Sequence, residues 1–170
     1  MRIRLASLPL LALTVIQIAC SHTYAFNANP QVSAIRNQKL SGRTLSIDLS
    51  GVPESFSASA QGHSFTVVGI REHTSSVVRS LFADDQWVDD PSNADFTFRP
   101  RLELAIDGMV GGARCSATSR WDLVRRDKVA SSGEASFTSS FPVIANVGRN
   151  CEIASLKSNA QALDKALAGL

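Results

Sequence analysis

The chain has 170 residues, of which 44% are hydrophobic, so it is long enough for one domain with a buried core. Its 17 Lys and Arg residues are nearly balanced by 15 Asp and Glu residues, and two of the basic residues, Arg2 and Arg4, stand at the extreme N-terminus. A nucleic-acid-binding protein normally carries a clear basic excess on one face. The composition therefore predicts no nucleic-acid partner.

The first 19 residues have the pattern of a secretory signal peptide. Arg2 and Arg4 give a basic start, and residues 5–16 form a short apolar stretch that contains no charge. This stretch is too short for a transmembrane helix, which needs about 20 apolar residues, and Pro9 interrupts it. The chain is therefore predicted to be exported from the cytoplasm.

Two cleavage sites compete at the end of this leader. Cleavage before Cys20 resembles the processing of a bacterial lipoprotein, in which diacylglycerol and palmitate are attached to the freed cysteine. Gln17 departs from the apolar residue usual in that signal. An ordinary signal peptidase would cut after Ala25 instead. The signal peptide thus covers residues 1–19 if the chain is processed as a lipoprotein, and residues 1–25 if an ordinary signal peptidase cleaves it.

The cysteine count is compatible with an oxidising compartment. Cys20 is either lipidated or removed, which leaves Cys115 and Cys151 in the mature chain. In the periplasm these two are predicted to form a disulfide. Two separate buried thiols are the alternative.

A flexible tether is predicted over residues 20–43, because polar residues dominate the stretch after the leader. A single domain over residues 44–170 follows. It begins with a strand over residues 44–49, where Leu45 and Ile47 alternate with polar residues. Gly51 and a serine-rich stretch then interrupt the pattern, and residues 65–68 suit either a strand or the start of a helix.

A helix is predicted from residue 70 onwards, because apolar residues recur at helical spacing. A short strand at Trp87 and Val88 and a turn at residues 89–91 come next. The residues that share the predicted buried face of the helix are Ile70, Thr74, Val77, Val78, Leu81 and Phe82.

Three long strands are predicted to form an antiparallel meander, over residues 95–107, from the glycines at 108–112 to residue 126, and over 129–141. A last helix is predicted over residues 153–168. Together these elements predict an α+β two-layer sandwich, in which two helices pack on one face of an antiparallel or mixed sheet of four to five strands. The apolar stripe of the last helix comprises Ile153, Leu156, Ala160, Leu163, Leu167 and Leu170.

Catalytic residues are not predicted. The stretch around Ser64 half resembles the nucleophile elbow of hydrolases, with His63 as a neighbouring base, but Thr66 stands where that motif needs its second glycine. His63 and His73 are expected to be solvated surface histidines. The chain is therefore predicted not to be an enzyme.

Metal ions and cofactors are not predicted either. Asp84, Asp85, Asp89 and Asp90 offer oxygen ligands, but the run lacks the glycine and the distal glutamate of a calcium-binding EF-hand loop. Aspartate is also common at turns, where it binds free backbone N–H groups.

Basic residues cluster around the second hairpin of the predicted meander. Such a patch is suited to lipid headgroups or to the phosphates of lipopolysaccharide. A solvated sheet face, with Asp122 and Asp127 between the cations, is the alternative. The candidate binding residues are Arg120, Arg125, Arg126 and Lys128.

Element order and pattern over roughly residues 44–168 resemble small Gram-negative envelope lipoproteins of the YajG type. More loosely they are similar to the lipopolysaccharide-assembly lipoprotein and to auxiliary lipoproteins of ABC-type transport systems. The features that carry the resemblance are the strand at 45–49, the helix with Val77, Val78, Leu81 and Phe82, the Trp87-Val88 strand, Ala94-Asp95 before the meander, and the helix from Ser158-Asn159-Ala160 through Leu163 and Leu167.

The resemblance implies a non-catalytic accessory lipoprotein on the periplasmic face of the outer membrane. It would be held there by acyl chains on Cys20 and would bind another envelope protein or a lipid. Ser21, which follows the cysteine, is similar to the pattern for outer-membrane sorting. The alternative is a soluble periplasmic protein that binds a lipid or small ligand in an apolar groove among Phe96, Phe98, Trp121 and Leu163.

Overall fold

The structure, a computed structural model, describes residues 21–28, 30, 37–60, 62–109, 112–141 and 146–170. The predicted signal peptide and Cys20 lie outside these residues. The α-helices within them are α1 (Ile70–Leu81) and α2 (Val147–Ala168). The strands are β1 (Ser21–Ala25), β2 (Thr44–Ile47), β3 (Ser55–Ala60), β4 (His63–Val68), β5 (Gln86–Trp87), β6 (Phe96–Met109), β7 (Gly112–Arg125) and β8 (Lys128–Phe141).

The strands form two mixed sheets. The larger has the order β5-β2-β6-β7-β8, and the smaller has the order β1-β4-β3. β6, β7 and β8 have 14 residues each and pair as the predicted antiparallel meander, while β2 is parallel to both of its neighbours. Both helices pack against the sheets, so the fold is the predicted α+β sandwich.

The core divides into two clusters of buried side chains. One joins α1 and α2 to the larger sheet around Phe98, Trp121 and Leu163, whose exposed fractions are 0%, 1% and 2%. The rings of Phe98 and Trp121 meet edge to face, 6.3 Å apart between centroids. These three side chains fill the core and do not line the apolar groove that was predicted for a soluble ligand-binding protein. Phe96, the fourth residue of that predicted groove, lies in the wall of a polar cavity described below.

The second cluster connects the smaller sheet to the larger one. Phe65 and Val67 of β4 pack with Phe26 and with the first turns of α2. Strand β3 belongs to this sheet although its sequence is rich in serine. Phe56 and Ala58 are partly buried, whereas the serines that alternate with them are exposed. The alternation of a half-buried strand is therefore present, but beside Phe56 it uses the small Ala58, so the pattern is weak in the sequence.

The buried face of α2 differs from the predicted apolar stripe. Ile153 and Leu156 are only partly buried and Ala160 is exposed, and the helix begins six residues earlier, at Val147. Small and polar side chains form the buried face because the helix lies close against β7 and β8. The residues of this face between Cys151 and Leu167 are Ala154, Ser155, Ser158, Asn159, Ala162, Leu163 and Ala166.

Hydrogen bonds engage most polar groups on this helix face, although the buried Asn150 Nδ2 has no partner among the described residues. The Ser119 and Ser158 hydroxyls lie 2.7 Å apart, and the Trp121 indole N–H donates to the Asn159 side-chain oxygen at 3.0 Å. The Ser131 hydroxyl donates to a backbone carbonyl of α2. Because buried polar groups are costly only when they lack partners, these residues can occupy the interface.

Part of the segment predicted as a tether is folded. β1 pairs with β4, and Phe26 and Leu40 are 4% and 0% exposed. In β1 the partly buried His22 and Tyr24 alternate with exposed residues and lead to Phe26, which gives the strand one inward face. Residues 31–36 of the predicted tether lie outside the described part of the chain.

Candidate functional sites

The strand that follows Cys20 is held firmly against the domain. The Tyr24 hydroxyl donates to one carboxylate oxygen of Glu152 at 2.7 Å, and the Asn27 backbone N–H donates to the other at 3.0 Å. Gly148, in the first turn of α2, lies against the Tyr24 side chain, and a Cβ there would lie 2.2 Å from that of Tyr24. Two turns of α2 therefore bind β1 from one side while β4 pairs with it from the other.

All three histidines of the chain lie near this segment. His22 and His63 stack, with 3.3 Å between the nearest ring nitrogens. His73 was predicted to be solvated, but it is fully buried on the inner face of α1, where its Nδ1 lies 2.6 Å from the Asn27 carbonyl oxygen. Its Nε2 has no hydrogen-bond partner among the described residues. The prediction failed because the histidine packs edge to face on Phe26, a contact across 47 positions of sequence.

Burial, together with the hydrogen bond to Glu152 and the charge of that carboxylate, raises the pKa of Tyr24 to about 12, against an opposing effect of Arg149. A raised pKa favours the neutral phenol in the folded state. The stability that it contributes is therefore fully present below about pH 10, the unfolded-state pKa, and is lost as the pH rises towards 12.

Tyr24 is the only tyrosine of the chain, so phenolate absorbance reports on it alone. We expect a titration midpoint near 12 in the folded protein and near 10 in concentrated urea. Glu152→Gln is expected to lower the folded-state midpoint, because it removes the negative charge. A folded-state midpoint near 10 would mean that β1 does not pack on α2.

The predicted disulfide is present. Cys115 of β7 and Cys151 of α2 are bonded, with 5.0 Å between their Cα atoms, and both are fully buried in the second core cluster. The bond fixes the first turns of α2 to the sheet. Those turns also carry the residues that bind β1.

The structure separates the predicted basic cluster into two groups. Arg125, Arg126 and Lys128 surround the tight β7–β8 turn, in which Arg126 has φ 48° and the next residue φ 61°. Arg120 lies five residues before Arg125 on β7 and contacts Asp122, with 3.2 Å between Arg120 Nε and Asp122 Oδ1. The four predicted binding residues therefore do not form one surface.

The outer face of the meander carries the group around Arg120. Asp122 has a side chain only 4% exposed, and Arg101 lies 3.7 Å from its second carboxylate oxygen. Hydroxyl groups of neighbouring strands also contact each other on this face, for example those of Thr118 and Ser136, which lie 2.8 Å apart. Because a buried carboxylate needs such cations, Arg120 and Arg101 balance the charge of Asp122 on this face.

Arg126 of the turn group lines a pocket with Arg99 and Asp127, whereas Arg125 borders a separate, polar cavity of about 450 Å³. Arg125 contributes to its wall, together with Lys39 and Arg43 from the segment that was predicted to be a tether. Lys39 and Arg43 were not among the predicted binding residues, because nothing in the local sequence shows that their segment docks beside β7. The remaining lining residues are Gln38, Ser41, Phe96, Ala130 and Leu170.

Ser64 and His63 do not form a nucleophile and base pair. They are neighbours on β4, and successive side chains of a strand point to opposite faces of the sheet. The Ser64 hydroxyl lies 3.4 Å from that of Ser59, while His63 stacks on His22 and Phe65. The arrangement required for hydrolysis at this position is therefore missing.

Two of the aspartates considered as metal ligands have local roles. Asp90 caps a short 3-10 helix at Pro91–Asn93 by accepting from the Ser92 N–H, and Asp89 lies 3.4 Å from Arg79. Within the described ranges, no three His, Cys, Asp or Glu side chains are grouped in a way that would hold a metal ion. The same ranges contain no helix that is long and apolar enough to cross a bilayer.

Comparison with known proteins places the fold but not the function. No family model matches the sequence, and no curated protein matches it. The structure is similar to the crystal structure of protein XCC0632 from Xanthomonas campestris, of the family DUF330. The TM-score is 0.55, the sequences are 15% identical, and the match covers 86% of this chain and 95% of the other. At this identity the likeness shows the fold alone.

Proposed function

We propose that the chain is a non-catalytic accessory lipoprotein, anchored by acyl chains on Cys20 to the periplasmic face of the outer membrane. In this role it binds or supports another envelope component. The observation that carries the proposal is the position of β1, which begins at the residue after Cys20 and is part of the folded domain.

The position of β1 supports one cleavage site over the other. Cleavage after Ala25 would remove all five residues that pair with β4 and would leave Glu152 without the Tyr24 hydroxyl. It would also uncover the groove beside Gly148 in which Tyr24 packs. Cleavage before Cys20 keeps every one of these contacts, so it is the processing that suits the fold.

In this proposal the connection between the acylated Cys20 and the folded domain is short. Because β1 starts at Ser21, the residue directly after the acylated cysteine, the smaller sheet would lie close to the membrane surface. The buried disulfide supports an oxidising compartment. The YajG type, the lipopolysaccharide-assembly lipoprotein and the ABC-transport auxiliary lipoproteins are the candidate relatives under this proposal.

Membrane fractionation of two variants tests the proposal. Cys20→Ala removes the acylation site, so we expect the protein to leave the outer-membrane fraction. Ser21→Asp changes the sorting residue at an exposed position of β1 and should move the protein to the inner membrane while keeping it acylated. Thr23→Asp, also exposed on β1, is the matched control and should stay in the outer membrane. A wild-type protein found in the soluble periplasmic fraction would contradict the anchor.

A further inference from the structure

The cations of the cavity beside the β7–β8 turn come from two distant parts of the chain. Lys39 and Arg43 come from the segment before β2, and Arg125 comes from the end of β7. The first segment is positioned by Leu40, which is fully buried in the core, and by hydrogen bonds from the Leu40 and Ser41 N–H groups to the Asn37 carbonyl. The cations therefore stand on backbone that is tied to the core.

The side chains around the cavity leave a surplus of positive charge. Asp95 is the acidic neighbour, and one of its carboxylate oxygens lies 4.0 Å from Arg43. The other oxygen already accepts hydrogen bonds from the Thr44 N–H and hydroxyl, at 3.0 and 3.2 Å. The Thr44 backbone N–H, and to a smaller extent Arg43 and Arg125, lower the pKa of Asp95, so it is charged at neutral pH. Among the described side chains at the cavity, the Asp95 carboxylate stands beside three cations, Lys39, Arg43 and Arg125.

The geometry of Arg125 suits a phosphate. Its guanidinium lies over the Phe96 ring, 5.5 Å from the centroid. Stacking on an aromatic ring uses the flat face of a guanidinium and leaves its N–H donors, which lie in the plane of the group, available. Two of these donors can bind two oxygens of one phosphate. Gln38 and Ser41 add polar groups to the wall, and about 450 Å³ is within the range of small-ligand sites.

We propose that this cavity binds the phosphate group of an anionic ligand, held by Arg125, Arg43 and Lys39. The site lies far from the anchor. Gly148 at the start of α2 contacts β1, Leu170 just past its end lines the cavity, and the 22 residues of the helix span about 33 Å. The ligand would therefore approach at the end of the domain remote from Cys20, and the proposal stands whether or not that residue is acylated.

Calorimetric titration of the purified mature protein tests the site with defined probes. Inorganic phosphate and glycerol 1-phosphate represent free phosphates. Monomeric dihexanoylphosphatidylglycerol represents an anionic lipid headgroup, and zwitterionic dihexanoylphosphatidylcholine is its comparison.

We expect Arg125→Gln and Lys39→Gln each to weaken binding about tenfold, because each removes a charge-assisted hydrogen bond. Arg114→Gln, an equal change of charge at an exposed position of β7 beside Asp107, should bind like the wild type.

Each result decides the question. Binding of the free phosphates that Arg125→Gln weakens supports a site for a soluble phosphate ester. Binding of phosphatidylglycerol alone, weakened by the same change, supports a site for a lipid headgroup. No binding of any probe would overturn the proposal, as would equal weakening by Arg114→Gln, which would indicate only a general effect of charge. Circular dichroism of each variant checks that it is folded.

Discussion

Replacing both disulfide cysteines with alanine is expected to lower the free energy of unfolding by about 4 kcal/mol. Cys115 and Cys151 are separated by 36 positions, and on the chain-entropy model a loop of that size accounts for an effect of this magnitude. Urea denaturation followed by circular dichroism measures it. Because both residues serve one bond, Cys115→Ala alone should cost about as much as the double variant.

The disulfide variant should also loosen β1. The bond fixes the first turns of α2, which carry Gly148 and Glu152, the two residues that hold β1 on that side. Faster hydrogen exchange of the β1 amides is therefore expected. A double variant as stable as the wild type, with unchanged exchange in β1, would show that the disulfide does not organise this part of the domain.

Replacing Gly133 with alanine is expected to cost about 3 kcal/mol, because the helix and the sheet are too close to admit a methyl group. A Cβ at this position would lie 2.1 Å from the Ala162 carbonyl oxygen and 2.5 Å from the Ala166 nitrogen. Both are backbone atoms of α2, so no side-chain rotation relieves the clash, and the helix would have to move away from β8.

The neighbouring Ser132→Ala is the control for this substitution. Ser132 lies on the exposed face of the same strand, so its loss should change the free energy of unfolding by less than about 0.5 kcal/mol. Urea denaturation of both variants gives the comparison. Gly133→Ala with the stability of Ser132→Ala would mean that α2 does not approach β8 as closely as described.

Local pattern was sufficient to predict much of the fold. The meander alternates apolar and polar residues over long strands, and α1 repeats apolar residues at helical spacing, so each element shows its buried face within a few residues. The close approach of α2 was not predictable in this way. Its buried face is made of small and polar residues whose partners, such as Trp121 for Asn159, lie on another element.

The candidate sites depend on contacts between distant residues, which explains why they were predicted only in part. Glu152 holds Tyr24 across 128 positions of sequence, so β1 looked like part of a polar tether. Lys39 joins Arg125 only because Leu40 docks in the core. Arg120 and Arg125 are only five positions apart in the sequence, yet Arg120 belongs to the outer face of the sheet and Arg125 stacks on Phe96 at the cavity.

Mass spectrometry of the N-terminal peptide from the mature protein tests the central claim most directly. If the domain is processed so that β1 is kept, the peptide begins at Cys20 and carries a diacylglyceryl group and a fatty acyl chain. The same protein should retain the raised pKa of Tyr24. An unmodified peptide that begins at Phe26 would contradict the account, because the mature domain would then lack the strand that Glu152 and Gly148 hold in place.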